Sequence, residues 1–319
     1  MTCSENTAEA ARRFKYRMSK NGLILYDPII PLTIRLNQQE TNDTVGKEVD
    51  YYKYDEVCEV AHLEISNKCN MKCKYCYVQD KGKGPGLTTA GWRIIIYNLA
   101  KAGIFQVSFG GGEPTLRKDL FKLARHVKEA GMNLAMTTNG TKLHKLNPKM
   151  LKKYFKQINV SWHQNPEVVE HALRFLQKHD IPRGINYCYS KPMAKDNDTV
   201  KYIAESYGAE MLYLVYKPVI RDVKNQLSGA DVYKAAKEAA NEGLKVAVDG
   251  PCINKCMMKK KFVDVDSHGF VFPCSFVRRS LGNLLYTNFK DIWKDRGDQV
   301  KCPFVELKEE KQSASKKSV

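Results

Sequence analysis

Three cysteines stand close together in the sequence, at Cys69, Cys73 and Cys76, with the spacing C-x3-C-x2-C. Thiolates on one short loop can surround one face of a metal ion or of a metal cluster. A cubane iron–sulfur cluster normally takes four cysteines, so three would leave one iron open to a substrate or cofactor. Half of a zinc site, with a distant fourth ligand, is the alternative that the spacing alone leaves open.

A glycine-rich segment, Phe109–Pro114, follows the cysteines and reads FGGGEP. Gly111 and Gly112 would let the backbone approach a ligand closely, because glycine has no side chain. Glu113 could accept a charge-assisted hydrogen bond from an ammonium group. Alone, such a segment is also typical of a simple tight turn.

A second group of cysteines lies in the last quarter of the chain and comprises Cys252, Cys256, Cys274 and Cys302. A hairpin with its turn at Asp266–Gly269 would bring Cys256 and Cys274 towards each other. Four thiolates would saturate a cluster and suit it to electron transfer, whereas three would leave one iron to bind substrate. A structural zinc site is the alternative here too.

Alternating strands and helices are predicted between the two cysteine groups. The predicted strands are apolar runs at Val60–Ser66, Gln106–Gly110, Asn133–Thr137, Gln157–Ser161, Gly184–Tyr189 and Met211–Tyr216. Amphipathic helices are predicted at Thr88–Ala102, Lys118–Ala130, Pro166–His179, Thr199–Tyr207 and Ala230–Glu242. This alternation predicts an α/β fold with a parallel sheet. Six units are fewer than the eight of a closed barrel, so we expect a partial (β/α)6 TIM-like barrel with ligands at the carboxyl ends of its strands.

The same pattern divides the chain into four parts. We expect an N-terminal extension packed on the barrel over residues 1–58 and the partial barrel over 59–250. A small cysteine-rich module is expected over 251–304, followed by a disordered basic tail over 305–319.

Composition limits the class of protein. Of 319 residues, 43% are hydrophobic, and 52 Lys and Arg outnumber 35 Asp and Glu to give a net charge of +17. These values argue against a disordered chain, and no apolar run or secretory signal indicates a membrane or secreted protein. We therefore expect a cytoplasmic protein whose clustered thiols bind metal instead of forming disulfides. The charge favours an acidic partner or nucleic acid without identifying either; Lys259–Lys261 and His144–Lys156 are basic patches, typical of a solvated helix face.

The first cysteine group resembles the motif of the radical S-adenosylmethionine (radical SAM) enzymes, C-x3-C-x-aromatic-C, with Tyr75 as the aromatic residue. Gly111, Gly112 and Glu113 resemble the family's GGE motif, which engages the amino group of SAM. The resemblance implies a [4Fe-4S] cluster on Cys69, Cys73 and Cys76, with SAM on its open iron. Reduction of that cluster would cleave SAM to a 5′-deoxyadenosyl radical that abstracts hydrogen from a C–H bond.

Other matches to the family are weaker. Thr138 and Asn139 resemble its TNG turn near the SAM methionyl and ribose groups, although a turn without a ligand has the same sequence. Ser161 matches a position near the SAM carboxylate or ribose, and Asn186 is a candidate for a ribose contact. Relatives often continue after the serine with Leu-Asp, where this chain has Trp162 and His163, and we expect His163 to be an ordinary surface histidine.

The second cysteine group resembles the SPASM domain, or its shortened twitch form, which carries auxiliary iron–sulfur clusters. The full SPASM pattern continues with further cysteines, whereas this chain has only Cys302, so the resemblance implies one auxiliary cluster. The spacing from Cys252 to Cys274 also resembles that of the molybdopterin-precursor cyclase, whose auxiliary cluster has an open iron.

The leading hypothesis is therefore a radical SAM enzyme that oxidises a peptide or protein side chain. Its electrons would come from a small-molecule donor or from a flavodoxin- or ferredoxin-type protein. An alternative is action on a small cofactor precursor or nucleotide. A third, of another class, is a zinc-binding module that recognises nucleic acid, which only the net charge supports.

Overall fold

The computed structural model describes residues 14–29, 32–54, 57–78, 80, 82–217, 223–248 and 262–294. The predicted ligands Cys252, Cys256 and Cys302, the patch Lys259–Lys261 and the tail 305–319 lie outside the described residues. Within the described residues the chain forms a small antiparallel sheet and a large, mainly parallel one.

The large sheet contains ten strands in the order β10-β9-β8-β7-β6-β5-β4-β11-β12-β13. Its parallel core comprises β4 (Val60–Ser66), β5 (Gln106–Gly111), β6 (Asn133–Thr138), β7 (Gln157–Ser161), β8 (Arg183–Tyr189), β9 (Glu210–Val215) and β10 (Val246–Val248). In the described residues, the edge strand β10 does not pair with the strand at the other edge, β13 (Gly282–Asn283). The sheet therefore does not close and forms the expected partial barrel. β10 was not predicted, because its three residues are too short to show periodicity.

Helices cover the outer face of this sheet. They are α2 (Thr89–Ala102), α3 (Leu120–Glu129), α4 (Pro148–Tyr154), α5 (Pro166–Lys178), α6 (Lys191–Ala194), α7 (Asn197–Ser206) and α8 (Gly229–Asn241). Thr88 and Asn165 cap α2 and α5 by accepting hydrogen bonds from Gly91 N and Val168 N, at 3.3 and 3.2 Å. The predicted basic patch His144–Lys156 contains α4, so most of it is an ordinary solvated helix.

The strand β4 illustrates how the barrel is built. Ala61, Leu63 and Ile65 are fully buried, whereas His62 and Glu64 alternate with them and point to the opposite, inner face of the sheet. The polar groups of the site are therefore carried on the inner face, and the apolar core lies between sheet and helices.

The C-terminal module continues the large sheet. β11 (Phe262–Val265) pairs in parallel with β4, and β12 (Phe270–Phe272) and β13 (Gly282–Asn283) follow antiparallel. The short helix α9 (Phe289–Lys294) follows β13. The predicted hairpin is present, and it forms one sheet with the barrel.

The N-terminal part forms the antiparallel strands β1 (Lys15–Ser19), β2 (Gly22–Asp27) and β3 (Leu32–Arg35), followed by α1 (Gln38–Val45). Arg17 donates hydrogen bonds to Val57 O at 2.6 Å and Gly103 O at 2.9 Å. Tyr26 stacks on Phe105, just before β5, with ring centroids 5.2 Å apart. This part therefore lies at the amino ends of the barrel strands, opposite the predicted site.

Candidate active site

One cavity of about 360 Å³ lies at the carboxyl ends of the parallel strands. The structure brings to it all ten site residues predicted in the barrel: Cys69, Cys73, Cys76, Gly111, Gly112, Glu113, Thr138, Asn139, Ser161 and Asn186. Their roles remain predictions, but their grouping at one end of the barrel is the arrangement that the parallel topology requires.

The cysteine loop after β4 presents three half-buried thiols to this cavity. Sulfurs on a single zinc ion lie at most about 4.6 Å apart, since each Zn–S bond is about 2.3 Å. In the described chain, His62-Glu64-Asp264 and Asp80-Asp266-His268 bring three ligand atoms within 4.8 Å of one another, and the three cysteines do not. Because a cubane binds each cysteine through a different iron, three thiols that do not meet this limit still fit a cluster.

The glycines after β5 are needed by the cysteine loop itself. Gly111 has a φ of +105°, and a Cβ there would lie 2.4 Å from Ser66 O. A Cβ on Gly112 would lie 2.2 Å from Lys68 O. Gly112 N and Glu113 N donate hydrogen bonds to those same two carbonyls, at 2.6 and 2.8 Å. We expected these glycines to allow the close approach of a ligand. In the structure they allow the close approach of the cysteine loop to the segment after β5.

Glu113 holds the next turn in place. Its side chain is buried and accepts hydrogen bonds from Thr115 N, Thr115 Oγ1, Thr138 Oγ1 and Asn139 N at 3.0, 2.6, 2.7 and 2.8 Å. Three of these donors converge on Oε1, and Asn139 N alone donates to Oε2. Glu113 thus joins the ends of β5 and β6, and its contact with the SAM ammonium group stays a prediction.

The turn after β6 also contacts the cysteine loop. Asn139 Nδ2 donates to Asn70 Oδ1 at 2.9 Å, and Asn70 Nδ2 donates to Thr141 Oγ1 at 2.8 Å. Because Asn70 lies between Cys69 and Cys73, this turn orients the loop that would bind the cluster.

Ser161, the last residue of β7, lies beside Asn186 in the middle of β8, where the two are register partners. Asn186 Nδ2 donates to Thr137 Oγ1 at 3.2 Å, and its Oδ1 accepts from Asn159 Nδ2 at 2.8 Å. Polar atoms of three adjacent strands therefore line this side of the cavity.

His163 is not the surface residue that we expected. Its Nδ1 lies 2.8 Å from Tyr75 Oη and 3.8 Å from Cys73 Sγ, and its ring stacks on Tyr75. Burial lowers the pKa of His163, which favours the neutral ring. The expectation was wrong because the sequence gives no sign that the cysteine loop folds over the end of β7.

A buried ionic cluster beside the cavity was missed altogether. We call His62, Glu64, Asp264 and Arg278 the buried ionic cluster. His62 Nδ1 lies 2.6 Å from Asp264 Oδ1, while Arg278 Nη1 donates to Asp264 Oδ2 at 3.0 Å and its Nη2 donates to Glu64. Only tertiary pairing of β4 with β11 brings these residues together.

Protonation in this cluster is uneven. Burial and the charge of Asp264 raise the pKa of Glu64 to about 10, against the opposing charge of Arg278. Burial alone would raise the pKa of Asp264, but the hydrogen bond from His62 and the charge of Arg278 hold it below its usual value. Glu64 is therefore neutral and Asp264 ionised at neutral pH.

Of the second cysteine group, Cys274 lies in the described residues. It is half-buried just after β12, and its carbonyl accepts a hydrogen bond from Val277 N at 3.1 Å. The next residues, Ser275 and Phe276, line the active-site cavity. The loop that carries Cys274 therefore forms part of the wall of the site.

Comparison with known proteins agrees with this geometry. The family model described as "Radical SAM superfamily" matches residues 63–252, and that of the SPASM iron–sulfur cluster-binding domain matches 256–316. An Fe-coproporphyrin III synthase of Methanosarcina barkeri is 31% identical over 74% of this chain and 73% of its own length.

Two further similarities are local or structural. A PqqA peptide cyclase of Bradyrhizobium diazoefficiens is 40% identical over 83 residues, which are 25% of this chain and only 22% of that enzyme. The crystal structure of Streptococcus suis SuiB bound to its precursor peptide SuiA has the same fold, with a TM-score of 0.75 at 16% identity, covering 90% of this chain and 88% of that one. The chain belongs to the radical SAM superfamily and carries a SPASM iron–sulfur domain.

Proposed function

We propose that this radical SAM enzyme oxidises a side chain of a peptide or protein. Cys69, Cys73 and Cys76 would hold a [4Fe-4S] cluster, and SAM would bind to its open iron. A cluster held there would supply, once reduced, the electron for cleavage of SAM to a 5′-deoxyadenosyl radical. The observation that carries the proposal is that the three thiols and the seven predicted SAM-contacting residues line one cavity.

The protein's own contribution is orientation and exclusion of water. Glu113 and Asn139 fix the turn beside the cysteine loop, and Ser161 and Asn186 offer polar groups for the ribose or carboxylate of SAM. Cys274, with Cys252, Cys256 and Cys302 as further ligands, would hold one auxiliary cluster as an electron acceptor. We propose residues 59–250 as the core and 251–304 as the auxiliary module.

The lining of the cavity and the comparisons support a peptide substrate. Tyr75, Tyr77, Trp162 and Phe276 give the described wall an aromatic character. The PqqA peptide cyclase similarity and the peptide-bound SuiB structure point to the same class.

A small cofactor precursor is the second candidate, and the similarity to an Fe-coproporphyrin III synthase over most of the chain favours it. The zinc-binding nucleic-acid module loses its basis, because the chain belongs to an enzyme superfamily with iron–sulfur clusters.

No helix in the described part of the chain is long and apolar enough to cross a bilayer. We propose a cytoplasmic location, because free cluster-binding thiols require a reducing compartment.

Anaerobic reconstitution tests the function. The protein would be incubated with SAM, reductant and either peptides encoded by neighbouring genes or a porphyrin-type precursor of iron coproporphyrin III. Mass spectrometry would follow 5′-deoxyadenosine and the substrate mass. We expect a peptide that loses two hydrogens in proportion to 5′-deoxyadenosine, and no product from the Cys73→Ala variant. Turnover of the porphyrin alone would contradict the peptide proposal.

A further inference from the structure

The outward side of the cysteine loop is basic. Lys68, Lys72 and Lys74 are exposed and alternate along the chain with the half-buried thiols that face the cavity. Three cationic side chains thus surround the predicted cluster on its solvent side. Nothing in the proposed binding of SAM uses them.

A second cavity, of about 540 Å³, lies on this side of the loop, and we call it the lysine groove. Lys72, Lys74 and Lys224 line it, and Cys73 and Tyr75 belong both to its wall and to the wall of the active site. The lysine groove therefore reaches a predicted cluster ligand from the outside.

The charge of the lysine groove is positive. Its described lining residues include three lysines and no carboxylate. Asp196 contacts the lining residue Gln164 at 3.2 Å, but the same Oδ2 also accepts from Trp162 Nε1 at 3.1 Å. The groove therefore presents net positive charge, which attracts acidic surfaces over about a Debye length, roughly 8–10 Å.

We propose that the lysine groove and Lys68 form the docking surface for a small acidic protein that carries one electron at a time. This inference rests on the proposed cluster. In the step itself, the donor's reduced cofactor loses one electron and the cluster gains one, and no bond forms or breaks. Electron transfer needs a short path, and the groove places the docked protein against the loop that holds Cys73.

An acidic segment of the peptide substrate is the competing occupant. The position of the lysines favours the electron carrier, because Lys72 and Lys74 flank Cys73 directly instead of lining the active-site cavity with the SAM-contacting residues. The two occupants differ in whether loss of the lysines slows reduction of the cluster.

The test compares two reductants of opposite charge. Holoprotein is mixed anaerobically with flavodoxin hydroquinone, which is acidic, or with reduced methyl viologen, which is a cation. Bleaching of the cluster absorbance gives the rate constant, at low and high salt. The variant is Lys72→Glu/Lys74→Glu. The matched control is Lys101→Glu/Lys237→Glu, which changes the net charge equally at exposed positions on α2 and α8.

We expect the groove variant to slow reduction by flavodoxin about 10-fold or more at low salt, with the difference shrinking as salt rises. Reduction by methyl viologen should stay the same or become faster, and the control should stay within about twofold of the unmodified protein. Affinity for oxidised flavodoxin, measured by fluorescence anisotropy, should fall in the groove variant alone.

Equal rates with flavodoxin in the groove variant and the unmodified protein would overturn the docking proposal. So would an equal loss in the groove variant and the control, which would indicate a general effect of net charge. A protein that shows no bleaching with methyl viologen would instead contradict the proposed cluster, so the two failures are distinct.

Discussion

Arg278 donates a hydrogen bond to Glu64, although the two residues are 214 positions apart in the sequence. The guanidinium also holds Asp264, so one cation of the C-terminal module lies between two buried carboxyl groups, of which Glu64 belongs to the barrel. Arg278 lies four residues after Cys274. The contact therefore fixes the position of the predicted auxiliary ligand relative to the first barrel strand.

Replacement of Arg278 by methionine should destabilise the protein strongly. It would leave Asp264 ionised and buried with His62 and the hydroxyl of Ser275 as its remaining partners, and loss of one partner of a buried ion pair costs about 3–5 kcal/mol. Urea unfolding under anaerobic conditions measures the effect. Arg279→Met, at the exposed neighbouring position, should change stability by less than about 0.5 kcal/mol. Similar losses in the two variants would show that the buried ionic cluster does not stabilise the fold.

The raised pKa of Glu64 predicts a dependence of stability on pH. A carboxyl whose folded pKa is about 10 keeps its proton in the folded state, whereas in the unfolded chain it loses the proton near its ordinary pKa of 4.5. The unfolded state therefore binds fewer protons between these values, and stability falls as pH rises through this window. The largest slope for one such group is about 1.4 kcal/mol per pH unit.

The variant Glu64→Gln removes the contribution of Glu64 to the pH dependence of stability, because the amide stays neutral at every pH. Arg278, Asp264, His62 and Tyr77 face Glu64 or its partners and remain in both proteins. Unfolding free energies at about pH 7 and about pH 9 should fall less in the variant than in the unmodified protein. An identical fall in both would mean that Glu64 is ionised in the folded state.

Substitution of Gly112 should prevent assembly of the first cluster. A Cβ at this position would lie 2.2 Å from Lys68 O, so the cysteine loop must move away from β5. We expect Gly112→Ala to lose about half of its iron after anaerobic reconstitution, since one of two clusters would be absent. Gly91→Ala, within α2, adds the same methyl group against the flexible side chain of Leu87 and should keep its iron. Full iron content in Gly112→Ala would contradict the proposed packing of the loop.

The two cysteine groups should separate cleavage of SAM from formation of product. Cys73→Ala should abolish 5′-deoxyadenosine while the fold persists in circular dichroism. Cys274→Ala should keep the first cluster and 5′-deoxyadenosine but form no product, because the auxiliary cluster would be lost. The control Cys58→Ala removes a thiol that is fully buried outside the cavity and should keep all its iron. Normal turnover by Cys274→Ala would show that its module is structural only.

Much of the barrel can be predicted from the sequence. The strands Val60–Ser66 and Gln157–Ser161 begin and end where their apolar runs do, because both are buried and bounded by polar loops. The helix ends at Thr88 and Gly103 follow from capping chemistry that acts within one turn. Nine of the ten barrel site residues meet because they follow, or end, parallel strands, and Asn186 joins them from the middle of β8 as the register partner of Ser161.

What the sequence did not reveal depends on contacts between distant segments. Nothing local to His62, Asp264 or Arg278 predicts their meeting, since it requires β11 to add to the edge of the barrel at β4. The sequence predicted that Gly112 allows the close approach of a ligand. The structure shows that Lys68 O lies 2.2 Å from where a Cβ of residue 112 would be. His163 was misread for the same reason, as its partner Tyr75 belongs to a loop without periodicity.

The pairing of β11 with β4 has a consequence for any shortened form of this protein. A chain that stopped before residue 262 would leave the N–H and C=O groups of one side of β4 without their partners. An edge strand with unpaired backbone groups, flanked by apolar side chains, can pair with a strand of another molecule. We therefore expect the barrel expressed alone to aggregate, which would make the C-terminal module necessary for solubility as well as for the proposed catalysis.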